Sequence, residues 1–204
     1  MRQRVAMLIL HLLVLPIGAR AGGGPLGIDH RWNRDDSGIW KRSNQTFLQN
    51  GGIVANIGLA SWEGADSRLG KTAWQSVDSM ALSGVAANVA KPIFGRRRPT
   101  ETDNPNEWGK GGRSFPSGEV ATITGIVTPY VLEYGHDHPA VYALELLPAY
   151  DAIARMKVRG HWQTDVLAGF AVGTASGYYA QSRDNPFILG LLPRGLMVGF
   201  KKHF

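Results

Sequence analysis

From Ala154 the chain reads Ala-Arg-Met-Lys-Val-Arg-Gly-His-Trp-Gln-Thr-Asp, closing at Asp165. This stretch decides the fold, because it joins two helices and loads the joint with ionisable groups. Ala140 to about Met156 carries a helical pattern and Gly160 breaks it. Thr164 to about Gln181 resumes it, rich in the Gly, Ala and Thr expected where helices pack closely. His161 and Asp165 are four apart at a helix start, so they share a face. A carboxylate that accepts from one imidazole nitrogen fixes the tautomer and leaves the other nitrogen free to attack.

Upstream, Pro116-Ser117-Gly118-Glu119 opens a helix running to about Tyr134, with Ser117 placed to cap it and Pro129 to kink it. Free backbone N–H groups and the helix dipole favour an anion there, and Gly118 lets the backbone approach closely. Before it, Thr100 to Phe115 is a connecting loop. Before that, Val77, Met80, Ala81, Gly84, Val85, Asn88 and Val89 recur at helical spacing from Lys71 onward. This helix runs past Lys91 and stops near Arg96–Pro99, since proline disfavours helix at the residue before it. Gly135 to Pro139 is a turn. The class is mainly α.

Three basic or anion-binding blocks thus stand in order at helix ends. Lys91 is followed by Arg98-Pro99 seven and eight positions later, then comes Pro116-Ser117-Gly118-Glu119, then Ala154-Arg155 with His161 and Asp165. Together they resemble the signature of the type 2 phosphatidic acid phosphatase (PAP2) superfamily, which includes bacterial class A acid phosphatases and vanadium haloperoxidases. Two letters depart from it: Glu119 stands where the family has histidine, and Ala154 where it has serine. The resemblance implies an acid phosphatase-like helical bundle. It also implies a phosphoric monoester hydrolase or phosphotransferase working without metal or other cofactor, through a phosphohistidine at His161 oriented by Asp165. Lys91, Arg98, Ser117, Gly118 and Arg155 would bind the phosphate, and Glu119 would be the acid/base.

The residues by themselves agree with that chemistry. A phosphoryl group in transfer spreads charge over three oxygens and needs fixed positive donors there. Arginine adds a planar fork that suits phosphate. No histidines and carboxylates cluster at metal-ligand spacing. Glu119 is the complication: to protonate a leaving group it must itself hold a proton, and its reference pKa of ~4.3 is low for that. A bound phosphate would raise it and the neighbouring cations would lower it.

Composition sets the frame. With 204 residues, 44% of them hydrophobic, the chain builds one core; with no cysteine it has no disulfide and no thiolate chemistry. Residues 1–21 read as a signal peptide, with Arg2 and Arg4, the apolar Val5–Ile17 and an Ala19-Arg20-Ala21 cleavage site. Losing Arg2, Arg4 and Arg20 reduces the net charge from +6 to +3, too little to argue for nucleic acid. Val120–Leu132 and Val166–Tyr179 are apolar but too short to cross a membrane. The expectation is an exported, water-soluble periplasmic protein.

Residues 22–70 form a loop-rich extension, 71–183 the catalytic bundle, and 184–204 a tail with a possible hairpin at Pro193-Arg194-Gly195. The clusters Asp29-His30-Arg31 and Arg34-Asp35-Asp36, and Arg96, Arg97, Arg113 and Arg159, read as solvated surface. The expected partner is a phosphorylated small molecule or a lipid headgroup, the latter with peripheral membrane contact. Sequence sets no oligomeric state. Two rivals share the cradle: a binding protein that holds phosphate without turnover, and a vanadate-dependent peroxidase.

Overall fold

The structure is a computed structural model that describes residues 23–186. The expected signal peptide at 1–21 and the tail hairpin lie outside the described residues. Five helices carry the fold: α1 (Arg42–Glu63), α2 (Arg68–Phe94), α3 (Gly118–Tyr134), α4 (Leu146–Lys157) and α5 (Gln163–Gln181). Short 3-10 helices at Gly38–Trp40 and Pro139–Glu145 precede α1 and α4. The described part contains no β-strand, only an isolated bridge between Gly23 and Asp29. The mainly α expectation holds.

α3 is the central helix, packed against α5 on one side and α2 on the other. Small residues set the spacing. Gly169, Gly173 and Gly177 form a stripe along α5 that lies directly on α3. A Cβ on Gly169 would come within 2.7 Å of the Ser117 carbonyl oxygen, and one on Gly173 within 2.5 Å of that of Ala121. A Cβ on Gly177 would meet the Thr128 side chain at 2.4 Å. No side chain fits between these backbones, so the two helix N-termini meet, and the Ser117 N–H donates to the Asp165 carbonyl at 2.9 Å.

Apolar clusters fill the remaining volume. Val120, Ala152, Met156, Val166 and Phe170 lock α3, α4 and α5 together. Ala60, Ala73, Val77 and Met80 join α1 to α2. At ~25 cal/mol per Å² of apolar area removed from water, such clusters are the main favourable term in folding.

The expectation for residues 22–70 is wrong over α1, which is a continuous 22-residue helix. Gly51 and Gly52 in its middle have room around them, and the helix is held by Ile53, Leu59 and Ala60 against α2. Tertiary packing overrides local propensity here. The pattern beginning at Ala140 starts as 3-10 helix and becomes α-helical only at Leu146. α2 continues through Pro92 and stops at Phe94, where Gly95 takes the left-handed conformation at φ 53° and closes the helix on the Lys91 carbonyl.

Candidate active site

Lys91 sits in the last turn of α2 and is buried. Its Nζ donates to the carbonyl of Pro116 at 2.6 Å and that of Arg113 at 3.3 Å. Arg98 joins that loop to the α4–α5 joint, its guanidinium donating to the carbonyls of Arg113 and Gly160, each at 3.3 Å. Gly118 faces Lys91: a Cβ there would touch Lys91 Cε at 3.6 Å. Burial first, then the charge of Arg98, brings the Lys91 ammonium down to about 8.

Arg155, in the last turn of α4, is 4% exposed. Its guanidinium lies over Gly160, where a Cβ would be 2.4 Å from Nη2, so residue 160 must lack a side chain. Nη1 donates to Gln45 Oε1 at 3.2 Å and stands 3.7 Å from Glu119 Oε2, while Nε has no partner. Burial lowers the Arg155 pKa.

His161 follows directly in the α4–α5 joint and is likewise buried. Burial holds its imidazole well below the usual histidine range, and Arg155, Arg98 and Lys91 push it further down. These surroundings favour the uncharged ring over the imidazolium. Nδ1 lies 3.7 Å from Asp165 Oδ2 and makes no other polar contact.

Asp165 is completely buried and is the hub of the site. It accepts from Arg96 Nη1 at 2.7 Å, from the Ser114 hydroxyl, and from the Trp162 backbone N–H at 2.9 Å. Burial pushes the Asp165 carboxyl up, and Arg96 with the Ser114 and Trp162 hydrogen bonds offsets only part of that. Ser117 occupies the cap position of α3, but its hydroxyl makes no capping bond and is left without a partner.

Glu119, in the first turn of α3, does not stand alone. Both terminal nitrogens of Arg42 reach its two oxygens as a bidentate pair, and Arg42 also contacts Gln45 at 3.3 Å. Burial would raise the Glu119 carboxyl, but Arg42 and Arg155 overcome it and the net shift is downward.

The structure thus brings Lys91, Arg98, Arg155, His161, Asp165, Ser117, Gly118 and Glu119 into one neighbourhood. Among the described residues no group of three or more His, Asp or Glu side chains could hold a metal ion.

Two surface assignments are corrected. Arg96 is fully buried: it pairs with Asp29 and Asp165, bonds Thr164, and lies over the Trp108 ring at 4.4 Å. Asp29 is 1% exposed and accepts from the Thr164 backbone N–H at 2.8 Å. A desolvated arginine between two carboxylates is stable only as such a network. Arg42, Gln45 and Asp151 were also missed. Asp151 is buried one turn before Arg155 with neither oxygen hydrogen-bonded, and burial pushes it up to about 7. No local pattern distinguishes these residues from surface charge.

Beside the site an apolar groove of about 880 Å³ opens between α1, α2 and α3, lined by Ile53, Met80, Val85, Val89, Ile93 and Thr122. Thr122 lies one turn beyond Glu119 on α3, while Val89 and Ile93, two positions either side of the buried Lys91, are exposed. No described helix is long and apolar enough to cross a membrane.

Comparison with known proteins bears on the family and the fold. The chain resembles the Lipid A 1-phosphatase of Porphyromonas gingivalis, with 34% identity over 117 residues. That is 57% of this chain but only 24% of the relative, so the chain spans about a quarter of its length. The crystal structure of Aquifex aeolicus LpxE aligns with a TM-score of 0.51 and 21% identity, over 86% of this chain and 94% of that one, a likeness of fold. The PAP2 superfamily model matches residues 72–185, more than half of the chain and a span that holds all eight residues of the expected site. By its motif blocks, its bundle and this match, the chain belongs to the PAP2 superfamily.

Proposed function

We propose that the protein is a phosphatase that cleaves the phosphate of a lipid in two steps, through a phosphohistidine at His161. The observation that carries this reading is the convergence of Lys91, Arg98 and Arg155 on a neutral His161 backed by Asp165. Three cations around one imidazole need an anion to balance them, and a phosphoryl group carries its charge on three oxygens.

His161 attacks phosphorus through the nitrogen turned away from Asp165. The P–O bond breaks, and the imidazole becomes cationic as its new P–N bond forms. Asp165, held in place by Arg96, Ser114 and the Trp162 N–H, stabilises that charge. Lys91, Arg98, Arg155 and the N–H groups at the start of α3 take the phosphoryl oxygens. Water then attacks phosphorus, giving its proton to Glu119, and the P–N bond breaks.

The apolar groove between α1, α2 and α3 supports a lipid over a soluble ester, since a hydrocarbon tail is a natural occupant of an apolar surface. The resemblance to a lipid A 1-phosphatase points the same way. The leader-like first 21 residues support export to the periplasmic side of the membrane.

The test is rapid quench of the full chain with 32P-labelled substrate. A base-stable, acid-labile phosphoprotein should form in the wild type, accumulate in Glu119→Gln and be absent in His161→Ala. Turnover by His161→Ala at the wild-type rate would remove the proposed nucleophile.

A further inference from the structure

Arg42 belongs to α1, outside the span matched by the family model. It nevertheless holds Glu119, the carboxylate given the proton-transfer role in the reading above. Its fork engages both oxygens of Glu119, and Gln45 ties it to Arg155. Resting on the phosphatase reading above, we propose that Arg42 is a positioning residue that commits Glu119 to accepting a proton from water in the second step and deprives the first step of a leaving-group acid. The enzyme is then selective for substrates whose leaving oxygen departs unprotonated, phosphoanhydrides above all, over esters of simple alcohols.

The charged groups facing Glu119 bear this out. From α1 comes Arg42, from α4 Arg155, from the α4–α5 joint His161, and behind Arg155 lies Asp151. Two of the four are permanent cations in contact with or near the carboxylate, and a bidentate arginine pair is the strongest stabiliser of the ionised form. No other group replaces the acid. Asp151 has no hydrogen-bond partner through which to pass a proton. Lys91 directs two of its three protons to carbonyls and the third to the phosphoryl oxygens. His161 is the nucleophile.

In the first step the electron pair of the breaking P–O bond therefore leaves with the oxygen as an oxyanion. For a lipid diphosphate that oxygen belongs to a lipid monophosphate, a stable anion. For an alkyl monophosphate it would be an alkoxide. General acid catalysis typically contributes 10²–10⁴-fold, so its absence separates the two classes by about that factor.

The experiment compares hexyl diphosphate, hexyl monophosphate and 4-nitrophenyl phosphate across pH 5–9, using the full-length wild type, Arg42→Gln and Arg42→Lys. The shared hexyl chain equalises the groove's contribution. In the wild type, kcat/KM for the diphosphate and the nitrophenyl ester should exceed that for hexyl monophosphate by ~10² or more. Arg42→Gln should release Glu119 to take up a proton, raising hexyl monophosphate turnover at least ~10-fold near pH 5.5 and flattening the leaving-group dependence. Arg42→Lys, with charge but no fork, should fall between them.

Wild-type cleavage of the monophosphate as fast as the diphosphate would overturn the inference and leave the phosphatase reading intact. So would an Arg42→Gln variant slowed equally on all three substrates with an unchanged pH profile, since a purely structural role gives that result. Failure to cleave any of the three would overturn the phosphatase reading, and this inference with it.

Discussion

Arg96 Nη1 donates to Asp165 Oδ1 at 2.7 Å, and both side chains are entirely shielded from solvent. Because Arg96 also spans to Asp29 at 2.6 Å, Asp165, the proposed orienter of His161, is anchored to a segment 136 positions earlier in the chain. Replacing Arg96 with Met would strand two buried carboxylates. The expected cost is about 3–5 kcal/mol, read as a lower urea midpoint with an unchanged m-value. Asp29→Asn should cost less, because Arg96 keeps Asp165. A midpoint unmoved by Arg96→Met would mean that the buried pair contributes nothing.

Asp151 gives stability a pH signature. Its folded pKa, about 7, lies above its unfolded value near 3.8. Between these values the folded state binds the extra proton, so stability present at low pH is lost as pH rises through about 7. The slope reaches at most about 1.4 kcal/mol per pH unit. Asp151→Asn, which cannot ionise, should remove this part of the pH dependence in denaturant titrations from pH 4 to 8. An identical slope in the variant would count against a buried neutral carboxyl.

Phosphate affinity should fall as Lys91 loses its proton. Its ammonium titrates near 8, so binding of inorganic phosphate by the free enzyme should weaken from pH 8 upward. Lys91→Arg keeps its charge and should bind evenly across pH 7–9.5. The effect on stability has the opposite sign: between about 8 and 10.5 the unfolded chain binds more protons, so the unliganded fold gains stability there. Calorimetric phosphate titrations at four pH values check the first part, and thermal melts the second.

His161→Ala should remove turnover and leave vanadate or phosphate binding measurable, since Lys91, Arg98 and Arg155 remain. Arg155→Ala should weaken both binding and rate, because it removes a charged donor to the oxyanion. Equilibrium binding alongside steady-state kinetics separates the two patterns. Loss of binding in His161→Ala equal to that in Arg155→Ala would contradict the division of roles.

Gly173→Ala places a Cβ 2.5 Å from the Ala121 carbonyl oxygen and 2.6 Å from Thr124 Cβ. Helix propensity alone predicts a gain of up to ~1 kcal/mol. Overpacking against backbone predicts a loss of ~1–3 kcal/mol, and that effect should win. The displacement also separates Ser117 from Asp165, so activity should fall more than stability. A stabilised, fully active Gly173→Ala would show that α3 and α5 are less closely packed than described.

Much of the site was legible in one dimension, because helix ends, caps and breaks are local. Lys91, Ser117, Gly118, Glu119, Arg155, His161 and Asp165 all lie within a turn of a helix end or in the break between two helices. There spacing alone decides which groups share a face. The Gly, Ala and Thr content of the last helix likewise pointed to close packing, although only the fold shows that Gly169, Gly173 and Gly177 form the stripe that lies on α3.

What the sequence could not decide was the partner of each charge. Arg96, Arg97 and Arg98 are three identical neighbours. Only the fold turns Arg96 into a fully buried ion-pair network, leaves Arg97 exposed and aims Arg98 at the carbonyls of Gly160 and Arg113. Asp29 meets Arg96 across 67 residues, and Arg42 meets Glu119 across 77. α1 itself has no strong local signal and exists because α2 covers it. Such pairings depend on how close the helices come and which carboxylate is left without water. Those are properties of the packed chain, not of any window along it.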